Sequence, residues 1–266
     1  MRVLVIGDSC IDRFVRGVVN RLCPEAPVPV LNPFRVEENS GMAGNVYENI
    51  KRLAPSATVH FITQQNRIVK TRYVDDVSGY ILLRVDEDGH CLKSLDLSTF
   101  IEKVESFGLG KYRYDAVVIS DYNKGFLTED MLKTIIETFE AAGVPVFLDT
   151  KKILGAWSKE TSFVKINNKE YSEQLSRMKK PTDFCKNLIV TLGKEGSYWV
   201  NDGLIKKTNK VEVMDVSGAG DTYLAAFAIF YHETLNVETA MSYANKAAGI
   251  AVSSHGVVAV SRSQIK

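Results

Sequence analysis

Short apolar runs separated by polar punctuation divide this chain into two kinds of segment. Residues 2–7 (RVLVIG) form a continuous apolar run that ends at Gly7 and Asp8, the pattern of a buried strand. Residues 28–36 (VPVLNPFRV) are extended, and their prolines suit an edge or a covering strand rather than a central one. The pattern predicts a helix over 42–53 and a strand over 57–63 (ATVHFIT). Two alternating runs follow, 68–74 (IVKTRYV) and 79–86 (GYILLRVD), joined by Asp75–Ser78. They read as a hairpin or as two neighbouring antiparallel strands.

Beyond this point strands alternate with helices. A helix over 97–107 precedes a strand at 115–119 (DAVVI), and a helix over 128–142 precedes a strand at 144–149 (VPVFLD). A short strand near 162–166 leads into a helix from 168, and a further helix is predicted over 181–187. Strands at 188–192 and 197–201 come next, then two long helices over 218–231 and 237–253. Such alternation predicts an α/β fold with a mainly parallel sheet covered by helices. The early extended segments, about 9–36 and 68–86, form a small accessory sheet in this reading. No repeat, low-complexity tract or linker interrupts residues 1–266, so one domain is expected.

Composition narrows the function classes. With 45% hydrophobic and 24% charged residues and a net charge of +1, the chain has the makeup of a soluble globular protein. It lacks the basic excess of a nucleic-acid binder and has no acidic tail. Cys10, Cys23, Cys91 and Cys185 form no CxxC pair and read as reduced thiols. His60, His90, His232 and His255 show no metal-ligand spacing. The N-terminus runs straight into a strand, which is not the pattern of a signal peptide, and no apolar run reaches membrane-spanning length. A cytoplasmic location is expected.

The sharpest chemical signal is DVSGAGDT at 215–222, placed directly before the apolar helical run YLAAFAIFY. Gly218 and Gly220 permit a tight turn, and the free N–H groups at a helix start make an anion site. Asp221 lies in that first turn, where a carboxylate can take a hydroxyl proton while the N–H groups steady a transferring phosphoryl group. GAGD alone also reads as an ordinary helix start with a capping aspartate. It is not a P-loop, since no Gly-Lys-Ser/Thr follows. Asn167 and Glu170 form an N-x-x-E unit at a strand-to-helix junction, suited either to organising water around Mg²⁺ or to capping. TLGKEG (191–196) reads as a turn beneath a nucleotide or as a plain β-turn. ANKAAG (244–249) leaves room for an adenine ring or for close helix packing.

Taken in order, Gly-Asp near the start, N-x-x-E, TLGxxG and GAGDT resemble the ribokinase-like sugar kinases, the PfkB family. Residues 7–30 (GDSCIDRFVRGVVNRLCPEAPVPV) resemble the opening of the D-glycero-β-D-manno-heptose 7-phosphate kinases, as do 68–74, 119–125 (ISDYNKG) and 149–151 (DTK, where that subgroup has Asp-Pro-Lys). PEAPVPV at 24–30 is the most telling run. The resemblance implies a three-layer sandwich with a β lid. It implies ATP-dependent phosphorylation of the anomeric hydroxyl of a heptose 7-phosphate, in a pathway to lipopolysaccharide or surface glycan. Asp221 would be the base, with the N–H groups of Gly218, Ala219 and Gly220 as the anion hole. Asn167 and Glu170 would organise Mg²⁺, Glu170 through water. Thr191, Gly193, Gly196, Asn245 and Ala248 would line the ATP site, and Asp8, Asp12 and Asn45 would bind sugar hydroxyls. Lys70, Arg72, Arg84, Lys124, Lys151 and Arg21 are the cations available to a sugar phosphate, with Lys70 and Arg72 on one strand face. A K⁺ site near Asp215 and Ser254 and a homodimer through the lid are further implications.

Two departures bear on the acceptor. Where the subgroup has Gly-Gly-Ala-Ala-Asn, residues 41–45 read GMAGN, so Met42 replaces a glycine. After strand 57–63 only Gln64–Arg67 intervene before 68–74, so a helix–strand unit of the family is missing. A kinase for another sugar or a nucleoside, and a nucleotide- or sugar-binding scaffold derived from such a kinase, are the competing readings.

Overall fold

The computed structural model describes residues 1–88, 93–108, 113–254 and 256–265; His90, Cys91 and His255 lie outside them. In chain order the first half contains β1 (Arg2–Gly7), β2 (Ser9–Leu22), β3 (Pro29–Met42), α1 (Ala43–Leu53), β4 (Thr58–Ile62), β5 (Val69–Asp75), β6 (Ile81–Glu87), α2 (Leu97–Ser106), β7 (Ala116–Asp121) and α3 (Glu129–Ala141). The second half contains β8 (Val146–Thr150), β9 (Phe163–Asn167), α4 (Asn168–Arg177), β10 (Leu188–Thr191), β11 (Ser197–Trp199), β12 (Leu204–Lys206), α5 (Ala219–Thr234), α6 (Val237–Val252) and α7 (Arg262–Ile265).

Eight strands form the main sheet in the order β12-β11-β10-β9-β8-β7-β1-β4. All neighbours from β10 through β4 are parallel, and β11 and β12 add an antiparallel edge. Strand alternation divides the core into two layers. Val3, Val5, Val118, Phe147 and Ile189 face α1, α5 and α6, while Leu4, Ile6, Ile119, Leu148 and Val190 face α2 and α3. Fully buried apolar strands of this kind are what parallel sheets require. Helix starts follow local chemistry: Asp96 caps α2, Thr128 caps α3 and Asn236 caps α6, each accepting a backbone N–H.

A second sheet has the order β3-β2-β5-β6. β5 and β6 are antiparallel, as their alternation predicts, and β5 pairs with β2 in parallel. One face of this sheet aligns Asp12 with Lys70 and Phe14 with Arg72, and Arg72 with Arg84. Residues 63–68 lead from β4 directly to β5, so β4 is the edge of the main sheet. The Gln64 amide closes this short connection. It accepts the Ser9 N–H at 3.0 Å and donates to the Ser9 carbonyl at 2.6 Å, as a strand neighbour would. A cavity of about 320 Å³ lies beside it, lined by Ser9, Ser40, Phe61 and Gln64–Ile68.

The structure corrects the sequence reading in two places. The helix predicted over 181–187 is a single 3₁₀ turn, Pro181–Phe184, because Pro181 starts it and Cys185 is already extended. The strand β12 carries no apolar run of its own and is defined by pairing with β11.

Candidate active site

Ligands of open parallel sheets bind beyond the carboxyl ends of the strands, and here those ends carry polar residues. Asp8 follows β1, Tyr122 follows β7, Asp149 lies near the end of β8, and Asn167 ends β9 with Lys165 two residues before it. The start of α5 lies over them. Gly218, the residue before α5, has φ 77°, and a Cβ there would lie 2.6 Å from Asn45 Nδ2. Only glycine meets both conditions without strain. The Ala219 N–H donates to the Val216 carbonyl at 3.3 Å. The N–H groups of Gly220 and Asp221, second and third in the helix, have no intrahelical acceptor.

Asp221 is buried. Its Oδ1 accepts the Tyr122 hydroxyl at 3.0 Å, and its Oδ2 faces the Asn45 amide at 3.5 Å. Burial, followed by the nearby Asp149 charge, pushes its carboxyl up to about 7, although Lys165, Tyr122 and Asn45 pull the other way. A carboxylate tuned to neutrality is suited to accept a proton. Asn45 is itself oriented, because Asn49 Nδ2 donates to its side-chain oxygen at 2.9 Å. Beneath the turn, Lys165 Nζ pairs with Asp149 Oδ2 at 2.6 Å, with both side chains under 5% exposed. A Cβ on Gly220 would lie 2.7 Å from that ammonium. The start of the helix therefore sits directly against a buried cation.

Beyond the end of β1, Asp8 is fully buried. Its Oδ2 takes the backbone N–H groups of Tyr122 (2.8 Å) and Lys124 (3.2 Å), while Oδ1 has no hydrogen-bond partner among the described residues. Burial raises its carboxyl despite these donors. Asp12 is ion-paired with buried Arg72, which also lies over the Phe14 ring. Lys70 Nζ lies 3.3 Å from Met42 Sδ and 5.5 Å from the Tyr122 ring centre, and it pairs with no carboxylate among the described residues. Met42 has φ 59°, a left-handed conformation in which a glycine would be unstrained.

The other expected cations separate. Lys151 Nζ joins Glu170 Oε1, lies 3.7 Å from Asp149 Oδ1 and 5.1 Å from the Tyr122 ring centre. The Lys124 ammonium turns outward to Asp88. Arg84 is half-exposed and donates through Nε and Nη2 to the two Asp86 oxygens. Arg21 is exposed near the far end of β2, nine residues beyond Asp12, which in an extended strand is about 30 Å. The structure does not bring Arg21 to this site.

Asn167 and Glu170 make a reciprocal capping box at the start of α4. The Asn167 side chain accepts the Glu170 N–H at 2.9 Å, and Glu170 Oε2 accepts the Asn167 N–H at 2.8 Å. Thr191 pairs with Asn167 in the β9–β10 ladder. Gly193 and Gly196 (φ 59° and 96°) shape the following turn, and a Cβ on Gly196 would lie 2.1 Å from the Lys206 carbonyl oxygen. Asn245 Nδ2 donates to that same carbonyl at 2.8 Å, and Ala248 is half-buried on the same helix. Asp215 accepts the N–H groups of Ser217 (2.8 Å) and Gly256 (3.2 Å), which ties its loop to the segment after Ser254.

Tyr122, Asp149 and Lys165 were not singled out as site residues from the sequence. Their shared signal is position: Tyr122 and Asp149 are polar residues at the carboxyl ends of apolar parallel strands, and Lys165 is the one charge of β9, another such strand.

Residues 112–264 match the family described as "pfkB family carbohydrate kinase". The chain belongs to that family. It is similar to the bifunctional protein HldE of a Nitratiruptor species, with 30% identity over 303 residues covering 100% of this chain and 64% of that protein. HldE of Hyphomonas neptunium is 32% identical, with 100% of this chain and 63% of that protein covered. The chain thus spans just under two thirds of the length of these relatives. The first alignment runs over 303 positions against a chain of 266 residues, in keeping with a shortened domain. Among solved structures, ribokinase from Thermotoga maritima superposes with a TM-score of 0.76 at 17% identity, covering 99% of this chain and 97% of that one. Phosphofructokinase-2 from Escherichia coli in complex with potassium gives 0.74 at 17% identity, covering 100% and 96%. The fold of this pfkB family member is ribokinase-like, with a mainly parallel main sheet and a separate small sheet.

Proposed function

We propose that this pfkB family member transfers the γ-phosphoryl group of ATP to the anomeric hydroxyl of D-glycero-D-manno-heptose 7-phosphate, giving the 1,7-bisphosphate. The observation that carries the reading is Asp221, a buried carboxylate poised near neutrality against a helix start whose N–H groups have no intrahelical acceptor. In this reading Asp221 accepts the proton of the attacking hydroxyl. Of the expected anion-hole donors Gly218, Ala219 and Gly220, the Ala219 N–H is turned to the Val216 carbonyl, so in this reading the N–H groups of Gly220 and Asp221 and the Lys165 ammonium meet the negative charge that develops on the transferred group. Asp8 Oδ1, buried and without a partner among the described residues, supplies an acceptor for a sugar hydroxyl. Lys70 is the cation best placed for the 7-phosphate, since Arg72 is committed to Asp12.

Thr191, Gly193, Gly196, Asn245 and Ala248 are the proposed nucleotide wall. When bound, ATP·Mg²⁺ supplies the phosphoryl group and the charge that neutralises its oxygens. No cluster of three or more His, Cys, Asp or Glu suited to a metal exists among the described residues. Both Glu170 oxygens already accept hydrogen bonds. These donors fit a Mg²⁺ that keeps its waters and is approached by Glu170 through one of them. The outer face of the small sheet aligns Val36, Val15, Tyr73 and Leu83, with Val36 and Leu83 exposed. This apolar row supports a homodimer through that sheet, which light scattering tests.

The deciding experiment is ADP release with Mg²⁺-ATP over a panel of sugars and sugar phosphates. Turnover with the heptose 7-phosphate, lost in Asp221→Asn, is expected. Preference for an unphosphorylated sugar overturns the acceptor. Nucleotide binding without any turnover overturns the kinase reading in favour of a binding scaffold.

A further inference from the structure

We infer that Tyr122 is the positioning residue of the base: its hydroxyl holds one carboxylate oxygen of Asp221 so that the other is presented to the acceptor hydroxyl. The inference rests on the reading of Asp221 as base and adds a residue to it. The hydroxyl lies 3.0 Å from Asp221 Oδ1. The ring is fixed from several sides. Its own N–H is bound to Asp8 at 2.8 Å, and the next residue, Asn123, turns sharply at φ 56° with its N–H on Asp121. Cys10, Met42 and Ile68 pack near the ring, and the ammonium groups of Lys70 and Lys151 lie 5.5 and 5.1 Å from its centre. A phenylalanine would keep every one of these packing and cation–ring contacts. Only the bond to Asp221 requires the hydroxyl.

One residue thus connects Asp8, Asp221 and two cations of the acceptor side. A donor on Oδ1 favours the ionised carboxylate, the form a base must have. The other groups facing Asp221 come from separate elements: Asn45 on α1, the Cys10 thiol on β2, Asp149 on β8, Lys151 just after β8, and Lys165 on β9. Asp149 opposes ionisation and Lys165 favours it. The Cys10 thiol is pushed up to about 12 by burial and stays neutral. Burial holds the Tyr122 hydroxyl well above its ordinary value, so it remains a donor wherever Asp221 titrates.

The test follows the Asp221 carboxyl directly, in the full chain carrying ¹³C-labelled aspartate. The resonance is assigned by its loss in Asp221→Asn and titrated without ligand from about pH 5 to about pH 9. Tyr122→Phe is expected to raise the midpoint by about one pH unit, the size of a hydrogen bond to a charged group. Site-specific replacement of Tyr122 by 3-fluorotyrosine, a stronger donor of the same shape, is expected to lower it. In turnover, the acid limb of kcat/KM moves with the same sign, so the Tyr122→Phe loss is about tenfold on the acid side and shrinks as pH rises. An unmoved midpoint in both variants overturns the inference, as does an acid limb that does not follow the carboxyl. A shifted midpoint in a chain that phosphorylates no acceptor upholds the contact and overturns the kinase reading instead.

Discussion

Replacing Lys165 by methionine removes one charge from the most enclosed ion pair of the site and preserves the side chain's length. Lys165 Nζ and Asp149 Oδ2 are 2.6 Å apart with 4% and 3% of the side chains exposed, so neither charge is compensated by water. Removing one partner of a buried pair costs about 3–5 kcal/mol. Lys151 Nζ, 3.7 Å from the other Asp149 oxygen, still offers partial compensation, which places Lys165→Met near 3 kcal/mol. For a chain of this size that is a fall of about 6–12 °C in melting temperature.

The pH dependence has a defined sign. Burial raises the Asp149 carboxyl, but the lysines Lys165 and Lys151 outweigh it and hold it below its ordinary 3.8. The pair's contribution is therefore present above 3.8 and is lost as pH falls through the folded value. The gap between wild type and Lys165→Met should close in acid. In thermal melts of the two singles and of Asp149→Asn/Lys165→Met, the double variant should lose less than the sum of the singles by about 1 kcal/mol or more. A Lys165→Met melt within about 1 °C of wild type at neutral pH would refute the reasoning.

Asp221→Asn should lower turnover by about 10²–10⁴-fold, measured by ADP release. Because burial raises the folded carboxyl to about 7, its ionisation opposes folding as pH rises through that value. Asp221→Asn should therefore melt above wild type at alkaline pH, with the gap closing below 3.8. In the wild type, kcat/KM should rise with pH through about 7. Gly196→Ala, at φ 96° with its Cβ 2.1 Å from the Lys206 oxygen, should cost about 2 kcal/mol or more and weaken nucleotide binding in calorimetry. Met42→Gly relieves about 1–3 kcal/mol of backbone strain at φ 59°. Its loss in chemical denaturation should fall below the about 2–5 kcal/mol of an ordinary buried methionine truncation.

Much of the fold was legible because apolar strands and amphipathic helices carry their periods locally. The strands at 2–7, 57–63, 115–119, 144–149 and 188–192 and the two long final helices all form near their predicted bounds. β12 was not legible, because a three-residue strand exists only through its neighbour. At the site, GAGD and N-x-x-E were visible as motifs. The structure shows that N-x-x-E is also a capping box, so both readings of that unit describe the same atoms. The basic residues were the least legible: Lys70 and Lys151 converge on Tyr122 and Arg72 is taken up by Asp12, whereas Arg84 and Lys124 pair with Asp86 and Asp88 and Arg21 lies at the far end of its strand.

The sequence by itself determined the alternation of strand and helix, the glycine turn before α5, and the order of motifs that marks the family. These are properties of neighbours along the chain, set by side-chain period and backbone freedom. The tertiary structure decided which polar groups share one small volume. It brought Tyr122, Asn45, Asp149 and Lys165 around Asp221 from four separate segments of the chain. Proton affinity depends on burial and on charges a few ångströms away in space, and spacing along a chain records neither.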